Sequence, residues 1–122
     1  MKKDNKGLGT LAEELAAVYF QKKGYVILER NFRAPCGEID LILEDGPELV
    51  FVEVKARAST KYGLPQEAVT LHKQRQIIKT ATWYMSCKGW NDRPARFDVL
   101  AIQFEQGKHE INHIPWAFEA EI

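Results

Sequence analysis

The chain lacks any run approaching the roughly 20 apolar residues that a bilayer-spanning helix needs, so no membrane partner is expected. Behind its basic start, MKKDNKGLG, there is no apolar segment of the kind a secretory signal carries. Cysteine is scarce: Cys36 and Cys87 fall far short of a disulfide scaffold, and a reduced, cytoplasmic protein is the expectation. A surplus of charge is missing too, with 17 basic and 17 acidic residues, so nucleic-acid affinity cannot be read from net charge and has to be sought locally. Internal repeats, low-complexity tracts and linkers are absent, and 122 residues suit a single domain, 1–122, with one core.

Several elements are legible. Leu8, Leu11, Leu15 and Val18, with Ala12 and Ala16, recur near helical spacing from Leu8 to about Lys23. Thr10 and Glu13 fit a capping box, and Gly24 fits the helix end. Tyr25 to Phe32 reads as a strand. A second helix is predicted from about Gln66 or Thr70 to Cys87, closed by Gly89 and burying Ile77, Ile78, Ala81, Tyr84 and Met85. Arg96 to Phe104 reads as a further strand, Gln106-Gly107-Lys108 as a turn, and His109 to Ile114 as a short last strand. Trp116 and Phe118 in the tail are expected to pack on the body. Helices set between strands imply a mixed sheet with helices packed on it. The second helix would make a right-handed crossover between parallel strands.

The informative segment is GEIDLILEDGPELVFVEVK, Gly37 to Lys55, a hairpin pattern with charges where apolar residues are wanted. Strand alternation puts Glu38, Asp40 and Ile42 on one face and Ile39, Leu41 and Leu43 on the other. With Asp45 to Glu48 as the loop, paired positions sum to 93, so Asp40 faces Glu53 and Glu38 faces Lys55. A one-residue slip would scatter the charges and mismatch the apolar faces. Carboxylates directly across a strand pair destabilise it, and a hard divalent cation, which takes oxygen ligands, would relieve the repulsion. Two acids with an ammonium beside them are the composition of a metal-assisted phosphodiesterase. The plain alternative is an exposed face with its charges in salt bridges, each contributing about 0–1 kcal/mol.

Glu38-Ile39-Asp40 followed by Val52-Glu53-Val54-Lys55 resembles the bipartite motif of the PD-(D/E)xK nuclease superfamily. Nearly the whole chain is similar to the YraN-like family of small bacterial proteins. The matching pieces are Glu13-x-Leu15-Ala16, Gly24-Tyr25, Asn31-x-Arg33, GEIDLI, FVEVKAR, Gly63-x-Pro65, Lys73 and Arg96-Phe97-Asp98. That family is similar in fold to archaeal Holliday-junction resolvases. The resemblance implies an α/β, restriction-endonuclease-like αβββαβ core with a mixed sheet flanked by helices. It further implies a Mg²⁺- or Mn²⁺-dependent endonuclease acting on DNA, with branched or structured forms as candidates. Asp40 and Glu53 would be the metal-binding acids, the Val54 carbonyl a backbone ligand and Lys55 the catalytic lysine. Glu38 would support from the GEID piece and Glu13 from the first helix, although Ala12 stands where the family tends to have glycine. The competing expectation is a non-catalytic nucleic-acid-binding or assembly module that keeps the fold. A homodimer would let two copies span a junction.

From the residues themselves, Arg57 lies on the Lys55 face and suits a phosphate, while Lys73 and Arg75 suit backbone phosphates or a plain solvated helix face. The segment 55–79 carries Lys55, Arg57, Lys61, Lys73, Arg75 and Lys79 against Glu67 alone. Asn31 and Arg33 are expected to be structural or to touch substrate. Asp98 is expected to pair with Arg96 or with a basic group on a neighbouring strand. His109 and His113 give only a weak zinc pattern, and Trp83, Trp90 and Trp116 read as packing.

Overall fold

A computed structural model describes the backbone of residues 2–58 and 69–120, and side chains from residue 7 onward within those ranges. Lys61, the Gly63-x-Pro65 piece, Gln66 and Glu67 lie outside the described residues. In chain order the elements are α1 (Lys2–Lys22), β1 (Val26–Ala34), β2 (Gly37–Asp45), β3 (Glu48–Arg57), α2 (Leu71–Lys88), β4 (Ala95–Glu105) and β5 (Lys108–Phe118). The five strands form one sheet in the order β1-β2-β3-β4-β5. Only β3 and β4 pair in parallel, joined through α2, so the sheet is mixed. This is the expected αβββαβ order with one added strand.

The sheet separates two apolar clusters, one under each helix. Ile39, Ile42, Leu49, Phe51, Phe97 and Val99 pack with Ile77, Ala81 and Tyr84 of α2. Leu41, Leu43, Val50, Val52, Leu100 and Ile102 pack with Ala12, Ala16 and Phe20 of α1. The buried stripe of α1 is thus Ala12, Ala16 and Phe20, at i, i+4 and i+8, and the expected stripe is corrected: Leu11 and Val18 are 49% and 45% exposed. Small residues at 12 and 16 let the helix backbone come close to the sheet. Sequence pattern favoured the larger leucines because periodicity does not say which of two adjoining stripes is inside.

Local chemistry sets the element ends. Thr70 is the N-cap of α2, its hydroxyl accepting from the Lys73 N–H at 3.1 Å, and Gly89 closes the helix in the left-handed conformation at φ 72°. β5 runs further than expected, through Pro115 to Phe118, which its edge position permits. Phe118 stacks on Phe97 as expected, but Trp116 stays 55% exposed.

Gly37 opens β2 at φ 154°, and a Cβ built there would sit 2.8 Å from the Thr80 hydroxyl oxygen of α2. Its missing side chain lets the helix approach the β1–β2 turn. Gly37→Ala is expected to cost about 1–3 kcal/mol from overpacking, read as a lower urea midpoint, and Thr80→Ala in the same chain should recover part of it.

Candidate active site

β2 and β3 pair from Asp45↔Glu48 to Leu41↔Val52, which is the expected register. The turn is tighter than expected: Asp45 and Glu48 belong to the ladder, and Gly46 at φ 61° leads a two-residue turn with Pro47. Past Leu41↔Val52 the described ladder stops. There the Asp40 side chain takes the acceptor's place, its Oδ2 receiving the Val54 backbone N–H at 2.7 Å. The Glu53 carboxyl stands near enough for its charge to act on Asp40, and Glu53 is buried. Lys55 Nζ lies 3.5 Å from Glu53 Oε2. Burial, foremost, and the Glu53 charge push the Asp40 carboxyl up to about 7, against the opposing Val54 N–H and the positive charge of Lys73. A carboxyl that keeps its proton because of burial, with a neighbouring carboxyl adding to the effect, is a site short of positive charge.

The strands also change face at this point. Ile39 and Ile42 pack on the α2 side, whereas Leu41 and Leu43 pack on the α1 side. β1 mirrors the break. Arg30, opposite Leu41, reaches Glu14 of α1, while Phe32, opposite Ile39, meets Tyr84 of α2 edge to face. Between them Asn31 has a left-handed backbone, φ 52°. The expectation that Glu38, Asp40 and Ile42 share one regular face is therefore corrected. So is the pairing of Glu38 with Lys55: Glu38 stands across from Arg33 of β1 and pairs with it at 3.3 Å, both well exposed. Plain alternation carries no information about such a kink.

α1 brings Glu13. The helix starts at Lys2, so Thr10 and Glu13 are interior to it and the expected capping box is not a helix end. With its amide nitrogen turned toward α1, Asn31 donates to both Glu13 oxygens at 3.2 Å. Burial raises the Glu13 pKa most, Asp40 raises it further, and the Asn31 hydrogen bond opposes both. The Asp40 charge thus bears on Glu13, and the Glu53 charge bears on Asp40. Lys73, at the start of α2, lines a cleft with Arg33, Cys36 and Glu38. Arg75 is exposed one turn along a helix that holds Lys73, Arg75, Lys79 and Lys88 and no acid. Arg57 ends β3, half-buried, on the face of Glu53 and Lys55. Among the described residues no three histidine, cysteine or acidic groups are gathered closely enough to hold an ion unaided. Asp40 and Glu53 are the densest oxygen donors the site offers, and hard cations commonly use one or two carboxylates and complete their shell with water and substrate oxygens.

Two features were missed or only half seen in the sequence. The Asn31–Glu13 contact joins residues 18 apart through a strand kink, and its one available signal was asparagine's tolerance of positive φ. Asp98 does pair with Arg96, at 3.1 Å, and also with His113 at 2.7 Å, so both expected kinds of partner meet it at once. That engagement occupies the histidine a zinc pattern would need.

A family profile described as "Uncharacterised protein family UPF0102" matches residues 12–102. A UPF0102 protein of Geotalea daltonii is 51% identical over 119 residues, 97% of this chain and 94% of that protein. One from Geobacter metallireducens is 51% identical over 115 residues, 94% of each. One from Caldanaerobacter subterraneus is 45% identical over 122 residues, covering 97% of this chain and all of that protein. Both halves of the site, the α1 acid and the hairpin, fall inside the matched span, and the chain belongs to the uncharacterised protein family UPF0102.

Proposed function

We propose that this protein is a metal-dependent nuclease of the PD-(D/E)xK kind that hydrolyses DNA phosphodiester bonds. One observation supports the reading: a half-buried Asp40 and a buried Glu53 bear on one another at the point where two strands part, with Lys55 alongside. Holding two carboxyls together at such a break is costly without a cation to offset their charge. The donors are all hard oxygen, which suits Mg²⁺ or Mn²⁺ held by Asp40, Glu53 and the Val54 carbonyl. Such an ion would polarise the scissile phosphate and acidify an attacking water.

The chain's own groups supply the rest. Lys55, steadied by Glu53, is placed to orient the water and to offset charge that develops on the phosphate oxygens. Water attacks phosphorus, the P–O bond to the leaving oxygen breaks, and that oxygen takes up a proton. The acid-free helix α2 offers Lys73 and Arg75 as sequence-blind phosphate contacts, with Arg57 beyond Lys55. Glu38, turned away toward Arg33, is left the role of an outer charge that bears on Glu13.

The test is cleavage of linear, nicked and four-way-junction DNA at enzyme excess with Mg²⁺ or Mn²⁺. Activity lost in both Asp40→Ala and Glu53→Ala supports the reading, with a rate drop of about 10³-fold or more expected where electrostatic groups of this kind are removed. DNA binding without cleavage, unharmed in those variants and steeply weakened by salt, would favour the binding module instead.

A further inference from the structure

Asn31 sits inside β1 with φ 52°, a backbone that asparagine, aspartate and glycine accept and most residues resist. The kink it makes sends Arg30 toward α1 and Phe32 toward α2, and leaves its own carboxamide spanning both Glu13 oxygens at 3.2 Å. Asp40 stands at the matching break of β2. The nearby Arg30 is paired with Glu14 one residue along the helix and acts on Glu13 only through its charge. The donor given to Glu13 is therefore a neutral amide. Such a donor fixes the plane of a carboxylate without itself supplying a positive charge, which is how outer hydrogen bonds orient metal ligands.

We infer that Asn31 is a positioning residue that fixes the Glu13 carboxylate on the α1 side of the cation site, an outer acid within reach of the Asp40 charge, an inference that rests on the metal-site reading above. The strand kink and the amide contact form one device: the left-handed backbone aims the amide, and the amide aims the acid.

The decisive variant is Asn31→Gly, which keeps the backbone permissive and removes only the amide. Calorimetric titration of the metal-free protein with Mn²⁺ should show Asn31→Gly and Glu13→Gln each weakening affinity by about 10-fold. The double variant should be no weaker than either single one. Wild-type affinity in either single variant, or a double variant weakened by the product of the two, would overturn the inference. Asp40→Asn, measured alongside, separates the two ideas: if it binds Mn²⁺ as well as wild type does, the metal site itself falls. The positioning role is then decided by the crystal structure of metal-free Asn31→Gly. Glu13 swung away from Asp40 upholds it, and an unchanged Glu13 rotamer overturns it.

Discussion

Asp40→Asn should make the metal-free protein more stable at pH 8 than wild type while abolishing its response to Mn²⁺. The unfolded chain gives up the Asp40 proton near 3.8, whereas the folded one keeps it to about 7. Between those values the folded state binds the extra proton, so stability falls as pH rises, by at most about 1.4 kcal/mol per unit. The loss is complete above pH 7. Asparagine keeps an oxygen for the Val54 N–H, adds a donor for Glu53 and carries no charge to repel it. Urea denaturation from pH 4 to 8 should show wild type losing about 2–4 kcal/mol through this window and Asp40→Asn losing little. Mn²⁺ should restore wild type at pH 8 and leave the variant unmoved. Equal pH dependence in the two proteins would mean that the acid pair is not strained, and the case for a cation there would collapse.

How much of this was readable beforehand depended on whether the backbone stayed regular. The hairpin register followed from matching the apolar set of Ile39 and Leu41 to Val52 and Val54, which a one-residue slip would have mismatched; Leu41↔Val52 forms as read, while Ile39 lies beyond the break on the α2 side. The end of α2 followed from Gly89, and its start narrowed to Thr70. Both are local rules acting on local sequence. Glu38 went astray because alternation is itself a statement about regular φ, and Asn31 and Asp40 interrupt it together on paired strands. α1 went astray for a different reason: the sheet accepted alanines at 12 and 16 against it and left Leu11 outside, a packing choice that one helix's periodicity cannot reveal. The site was legible as composition and only half legible as geometry, since Glu13 owes its orientation to a residue in another element.

Asp98→Ala should have the opposite sign to Asp40→Asn and a larger size. Asp98 is fully buried in β4, and its oxygens receive Arg96 Nε at 3.1 Å, His113 Nε2 at 2.7 Å and the Trp116 backbone N–H at 3.1 Å. Arg96 continues to Glu48 at 2.7 Å and to the Tyr25 hydroxyl at 2.8 Å. Burial works against the guanidinium charge, yet Asp98 and Glu48 outweigh it and hold its pKa above the ordinary arginine value. The carboxylate also serves the irregularity where β5 steps out of register between Phe97↔Phe118 and Val99↔Ile114, with Trp116 at φ 55°. One acid thus ties together β4, β5, the start of β3 and the residue before β1. Removing it leaves Arg96 Nε and the Trp116 N–H without their acceptor, although Glu48 still faces the guanidinium, a change that costs about 3–5 kcal/mol for broken buried pairs. Urea denaturation at pH 7 should show that loss, with Mn²⁺ affinity of the folded fraction unchanged, because the network lies on the α1 side of the sheet and touches neither Asp40 nor Glu53. A loss below about 1 kcal/mol would place Asp98 among weak surface pairs. The sheet therefore holds acids in two opposite ways: the buried Asp98 with more donors than it needs, where removal weakens the fold, and the half-buried Asp40 with fewer, where removal strengthens it.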